Sequence, residues 1–447
     1  MALAAAIGWL PDTTEVLQIM KRRPTVFVLT ILLMAVSAQA QSTPPQETPT
    51  QTRPRMVTVA PSPAADAPPA SVLPKPAPAP VGPAVGNNAA QTAPIRGLGI
   101  EKIRARITEA ERLFKTRPVL TALTLPVPTA AAGGATAVKT SVPSIDFVTV
   151  AALDTATSKI HFLTLPKTLF LQKSAEANVS SEGNTYKLRV LRANGVNTAV
   201  TVFDSAGRSL APLVVQYPIE RGGKFLEMAY YTSAHPALIS PDVIRDGQSY
   251  VRTMIDLAAK RLLLKGIKIS PEIMNVAERL CVVEHTDHDR FRRENRLALF
   301  EEIFALFALN ELDTYRYAVS WAGAGGMVQM IPATYRMVRN AHPGVGLNPD
   351  FVVGMRNHGN ALEAMLLYMQ DTWNDLAANE EVIYALSAKL ATQQELLSAG
   401  YNSNPARLPG YLKRGGAAWR TLIPRETQLY LQIYRSFESL IPMKARS

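Results

Sequence analysis

Cysteine is all but missing from this 447-residue chain, in which Cys281 stands alone. One thiol excludes an intramolecular disulfide framework and any zinc site built from several thiolates. Charged residues make up only 19%, while hydrophobic ones reach 47%, enough to bury a core and to exclude a wholly disordered chain. The apolar run 25–36 falls short of the ~20 residues that cross a bilayer as a helix. No internal repeat of roughly 20–50 residues is evident, which argues against a solenoid. Acidic residues are the scarcer sign: 36 Asp and Glu face 47 Lys and Arg, a net charge of +11. That balance favours an anionic partner, whether nucleic acid, a membrane surface or an acidic polymer such as a cell wall, without choosing among them. The length allows about two to three domains.

Residues 1–40 read as a leader with a secretory signal. Met20-Lys21-Arg22-Arg23 is a basic start, 25–36 is the apolar h-region, and Ala38-Gln39-Ala40 supplies small residues for cleavage after Ala40. Translation from Met1 or from Met20 fits this pattern equally. An uncleaved anchor is the weaker reading, so no stable transmembrane span is expected after cleavage. No cysteine follows the h-region, which excludes a lipid-modified N-terminus. Export to the periplasm, cell wall or exterior is expected, and nucleic acid is not an expected partner.

The remainder predicts a multidomain α+β protein. Residues 41–95, rich in Pro and Ala, form a disordered tether, read as a passive spacer. Within 96–144, Ile100, Ile103, Ile107, Ala110 and Phe114 predict an amphipathic helix over 99–115, followed by a low-complexity linker. A small β-rich module spans 145–235. Tyr186, Leu188 and Val190 alternate with polar residues, as do Val200 and Val202, and Asn194-Gly195 between them suits a type I′ hairpin turn. Segments 160–171 and 209–217 are further strand candidates. From 240 to 447 the signals are helical. Ser240-Pro241 and Ser270-Pro271 each pair an N-cap serine with a proline at the first helical position, and helices follow near 292–310, 332–341, 358–378, 380–398 and 423–442.

Chemistry concentrates in this helical region. The helix opened by Pro271 carries Ile273, Ala277, Leu280, Cys281 and Glu284 along one face, so an acid ends an apolar stripe. Apolar surroundings and the negative end of a helix both favour the protonated carboxyl, as a general acid near neutral pH requires. An ion-paired glutamate at a helix end is the bland alternative, and Cys281 reads as a small buried apolar residue. A glycine-rich segment, 320–334, lets backbone approach a ligand, and its Gln329 offers both a donor and an acceptor. No Lys-Ser/Thr follows these glycines, so it is not a phosphate loop. A polar turn at Tyr401-Asn402 and a helical Glu426-Thr427-x-x-Tyr430 complete the set.

Taken in order, these segments resemble the catalytic domain of soluble lytic transglycosylases, which has a goose-type lysozyme-like fold. The family pattern is a catalytic Glu-Ser, then GA-x-G-LMQ-x-MP-x-T, then A-YN, then ET-x-x-Y. Gly323, Ala324, Gly326, Gln329, Pro332 and Thr334 match the second motif; Tyr401 and Asn402 the third; Glu426, Thr427 and Tyr430 the fourth. The resemblance covers about 270–443. His285 stands where the family has serine, Val328 replaces a methionine, and the interval between Glu284 and Gln329 is long, with 292–310 as an insertion.

The resemblance implies cleavage of the β-1,4 bond between N-acetylmuramic acid and N-acetylglucosamine in peptidoglycan, ending in a 1,6-anhydro product, with Glu284 as the single acid and base. It places Gln329, Tyr401 and Asn402 beside the acid, with Gly323, Ala324, Met327 and Val328 on the substrate side. Glu426 and Tyr430 take supporting or structural roles. Neither cofactor nor metal is expected: the run 284–289 lacks both the H-E-x-x-H and the D-x-D-x-D-G spacings. Two other readings remain. Asp287 or Asp289 can serve as a second carboxylate in a hydrolytic muramidase, or the domain is an inactive wall-binding scaffold. The β-rich module is the candidate surface for cell-envelope partners. Trp321 and Trp373 are candidates for stacking on sugars, Trp373 more readily for the core.

Overall fold

The computed structural model describes residues 98–118, 143–320 and 322–446. The leader, the apolar segment 25–36, the tether and most of the second low-complexity segment lie outside the described residues.

The first described element is the expected amphipathic helix, α1 (Ile100–Thr116), with Ile103, Ile107, Ala110 and Phe114 buried. A sheet follows, built from β1 (Phe147–Asp154), β2 (Lys159–Pro166), β3 (Glu176–Ser181), β4 (Asn184–Arg192), β5 (Ala199–Phe203), β6 (Ser209–Arg221) and β7 (Lys224–Tyr231). Its order is β2-β1-β6-β5-β4-β3 with β7 also on β6, and every pairing is antiparallel. In β4 the alternation is plain: Tyr186, Leu188 and Val190 are buried between exposed Lys187 and Arg189. In β1 both faces are covered. Val148, Val150 and Ala152 join the interior of the sheet, while Ala151 and Leu153 pack under α1.

Two local expectations are corrected. The β4–β5 hairpin is closed by residues 193–198, not by a two-residue type I′ turn. Gly195 has positive φ but Asn194 does not, and Thr198 Oγ1 ties the loop by donating to the Gly195 carbonyl (2.7 Å) and accepting from Asn194 N–H (2.9 Å). The strand predicted over 160–171 ends at Pro166, where a four-residue helix, α2 (Lys167–Phe170), drops Phe170 into the interior of the sheet.

The helical region comprises α3 (Pro241–Leu264), α4 (Pro271–Val283), α5 (His288–Arg293), α6 (Arg296–Asn310), α7 (Pro332–Ala341), α8 (Phe351–Arg356), α9 (His358–Ala377), α10 (Glu380–Ser387), α11 (Gln393–Asn402), α12 (Leu408–Gly415) and α13 (Arg425–Leu440). Ser240 and Ser270 cap α3 and α4 as their sequences predict, accepting from Val243 and Ile273 N–H. The expected helix 292–310 is broken by Asn295, whose side chain caps α6 (3.2 Å to Ala298 N). The one over 380–398 is broken by Thr392, which opens α11 with a capping box to Glu395.

The stretch read as an insertion is central. From Leu299 to Leu309, α6 is buried nearly all round. It crosses α3 at Gly247, where a Cβ would collide with the Phe304 carbonyl oxygen. Its Ala305, Ala308 and Leu309 join α1, β1, β2 and Val243 in one apolar cluster, so the sheet and the helices share a core. The middle of α4 is fixed by the C-terminal segment: Arg446 pairs with the buried Glu278, which Arg252 also reaches at 3.4 Å. Among the described residues no helix is long and apolar enough to cross a membrane.

Candidate active site

The apolar stripe of α4 explains where Glu284 sits. Ile273, Ala277, Leu280 and Cys281 anchor the helix in the main core, and Glu284 follows as the C-cap residue with its N–H on the Leu280 carbonyl (2.9 Å). The residue keeps some exposed surface, but its carboxyl is crowded by protein. Burial pushes it up to about 8, and the nearby Glu426 carboxylate acts in the same direction. Opposing both, Tyr430 Oη donates to Glu284 Oε1 at 2.6 Å. Tyr430 comes from α13, on a face shared with Thr427, Ile433, Tyr434 and Phe437. With Oε1 accepting from Tyr430, Oε2 is the oxygen left to carry the acid proton.

Because burial raises this carboxyl, the folded chain holds a proton that the unfolded chain releases between about pH 4.5 and about 8, and stability falls as pH rises through that window. Glu284→Gln keeps the shape and removes the ionisation. Thermal melts are expected to show it raising Tm at pH 8 and doing so by less at pH 5. Tyr430→Phe removes the donor to the carboxylate. The Glu284 carboxyl is then expected to titrate at still higher pH, read by difference infrared spectroscopy, because the conjugate base loses a charge-assisted hydrogen bond.

The glycine-rich segment is a tight, irregular loop. Gly325 bridges to both Val319 and Met330, and φ is positive at Gly323, Gly326 and Gln329. Ala324, which is buried, receives Ser320 N–H at its carbonyl (2.8 Å) and donates its own N–H to Ser320 Oγ (3.0 Å). Gln329 Nε2 donates to Gly326 O (2.8 Å), so that amide end holds the loop while its oxygen remains available. Met327 and Val328 are fully buried, so their side chains pack in the core. Their carbonyls matter instead. Met327 O meets His285 Nε2 at 2.9 Å, and Val328 O accepts from Tyr401 Oη at 2.7 Å.

Tyr401 and Asn402 end α11. Tyr401 packs edge-on against Tyr368 of α9 (5.8 Å) and lies close enough to Glu284 for that charge to raise its hydroxyl further. Asn402 Oδ1 is buried without a partner, the kind of atom a bound polar group would satisfy. Glu426 is exposed on the first turn of α13, and its charge reaches both Glu284 and His288. All four sequence segments therefore meet around Glu284.

No protein-family model, curated protein or solved structure matches the chain.

The remaining candidates have contacts of their own. Asp287 caps α5 by accepting from Arg290 N–H (2.8 Å), and Asp289 pairs with Arg292 (3.4 Å). Among the described residues no group of His, Cys, Asp and Glu is assembled to hold a metal. Cys281 is buried and burial pushes its thiol up. Trp373 packs against two apolar clusters, and Trp321 lies outside the described residues. A depression lined by Ala406, Arg407, Gly410, Tyr411 and Arg414 shares no residue with the group around Glu284. No sequence signal marks Tyr315 or Tyr368, and His285 stands out there only as a departure from a pattern.

Proposed function

We propose that the chain is an exported peptidoglycan lytic transglycosylase with a lysozyme-like catalytic domain. The observation that carries this reading is the Glu284 carboxyl at the end of a buried apolar stripe, accepting from Tyr430 at Oε1, where burial pushes it up to about 8. Glu284 gives its proton to the oxygen between N-acetylmuramic acid and N-acetylglucosamine, so that the C1–O bond breaks as the leaving sugar gains a hydroxyl. The carboxylate then takes the proton of the muramic C6 hydroxyl as its oxygen bonds to C1, closing the 1,6-anhydro ring and restoring the acid. Assistance from the substrate's acetamido group removes the need for a protein nucleophile. Asn402 Oδ1 and the Gln329 amide are the polar groups that would orient the sugars. Under this reading the β-rich sheet is a surface for cell-envelope partners, in the periplasm or wall.

A hydrolytic outcome needs a second carboxylate to activate water, and Glu426 is the one whose charge reaches Glu284. Mass analysis of fragments from purified sacculi separates the two. The transglycosylase gives anhydro ends, lighter by one water than reducing ends; exclusively reducing ends would refute it.

A further inference from the structure

His285 directly follows the acid, and its ring is held from two sides. A carbonyl can only accept, so the 2.9 Å contact with Met327 O places the hydrogen on Nε2. The ring lies flat on Tyr315, with centroids 3.3 Å apart and planes 3° from parallel. Tyr315 is itself buried, takes a left-handed backbone conformation (φ 59°), and packs edge-on against Phe307 of α6 at 5.4 Å. A non-glycine residue keeps such a backbone only where its surroundings hold it there. Tyr231, at the end of β7, packs in the same cluster, so the support under His285 extends to the sheet.

The two carbonyls held in the glycine-rich loop are consecutive. Met327 O is held by the neighbour of Glu284, and Val328 O by the neighbour of Asn402. Gln329 follows immediately. The relative height of acid, loop and Asn402 is therefore set by two side chains, of which Tyr401 belongs to a matched motif and His285 does not. A serine, which the resembled pattern has at 285, carries its hydroxyl on one carbon and is shorter than the imidazole that makes this contact.

We propose that His285 is a positioning residue, clamping the Met327 carbonyl beside Glu284 so that the loop 323–331 stays in register with the acid. The role rests on the reading of Glu284 as the acid that protonates the glycan. Burial, together with His358 of α9, pushes the imidazole down to about 3, so the clamp works as a neutral donor and takes no part in proton transfer.

The test compares His285→Ala, His285→Ser and His285→Gln in the full chain with purified sacculi as substrate. Ala and Ser are expected to lower kcat by about 10²-fold, the scale of a misplaced reacting group, with KM nearly unchanged. Gln, whose amide N–H can reach the same carbonyl, is expected to restore kcat to within about tenfold of wild type. The pH profile of His285→Gln should keep the wild-type basic limb. Wild-type kcat in the Ala and Ser variants, or no rescue by Gln at matched Tm, would overturn the role. A second readout needs no turnover: imidazole ¹⁵N NMR of the wild-type chain, with His285 assigned from its loss in His285→Gln. It should show the neutral Nε2–H tautomer across the ordinary histidine titration range, and protonation within that range would overturn the clamp. If wild type digests no sacculi, the reading of Glu284 fails, and the tautomer still decides the clamp.

Discussion

Glu284→Gln is expected to lose about 10²–10⁴-fold in the rate of sacculus digestion, the range that general acid–base catalysis supplies. The amide matches the carboxyl in size and still accepts from Tyr430 at its oxygen, so the loss falls on proton transfer. Substrate should still pellet with the variant. Because the same substitution removes a buried ionisable group, the inactive protein is expected to melt above wild type at pH 8. A variant that is both inactive and unfolded would point to a structural glutamate. A variant that digests at wild-type speed would remove Glu284 from the chemistry altogether.

Gly326→Ala is expected to carry the other large effect. Gly326 has φ of +66°, and a Cβ there would collide with the carbonyl oxygen of Met355 in α8, a backbone atom that cannot swing aside. The left-handed conformation and the overpacking together cost about 2–4 kcal/mol. That corresponds to a Tm lowered by roughly 5–15 °C for a domain of this size, measurable by calorimetry. The chain relieves the clash by moving either α8 or the loop, and moving the loop shifts Met327 O and Gln329 away from Glu284. Digestion of sacculi should therefore fall even below the melting transition. A variant with wild-type Tm and wild-type activity would show that the close approach of loop and α8 is not required.

Much of the scaffold was legible in the sequence because its signals are local. Ser240-Pro241 and Ser270-Pro271 announce helix starts through their own side chains, and the spacing from Ile273 to Glu284 places the acid at the end of a buried stripe without knowledge of what surrounds it. The same holds for α1 and for the alternation in β4. What was not legible depends on contacts between distant segments. Met327 and Val328 look like cleft residues in a glycine-rich stretch, and only packing shows that their side chains point inward and their carbonyls do the bonding. Thr392 and Asn295 interrupt helices whose apolar spacing runs through them. The segment 292–310 looks like an addition when measured against a motif pattern, yet α6 is the element on which α3, α13 and the sheet all pack. His285 is the clearest case: in the sequence it is only a departure from a motif pattern, and in the structure its ring meets Met327 O and lies flat on Tyr315.

Glu284 is expected to stay protonated in the folded, unliganded chain near neutral pH. Difference infrared spectroscopy of wild type against Glu284→Gln, titrated across pH, reads that carboxyl directly. The expected result is a protonated carboxyl band that persists through neutrality and disappears near pH 8. A carboxylate already formed near the ordinary glutamate value of about 4.5 would contradict it.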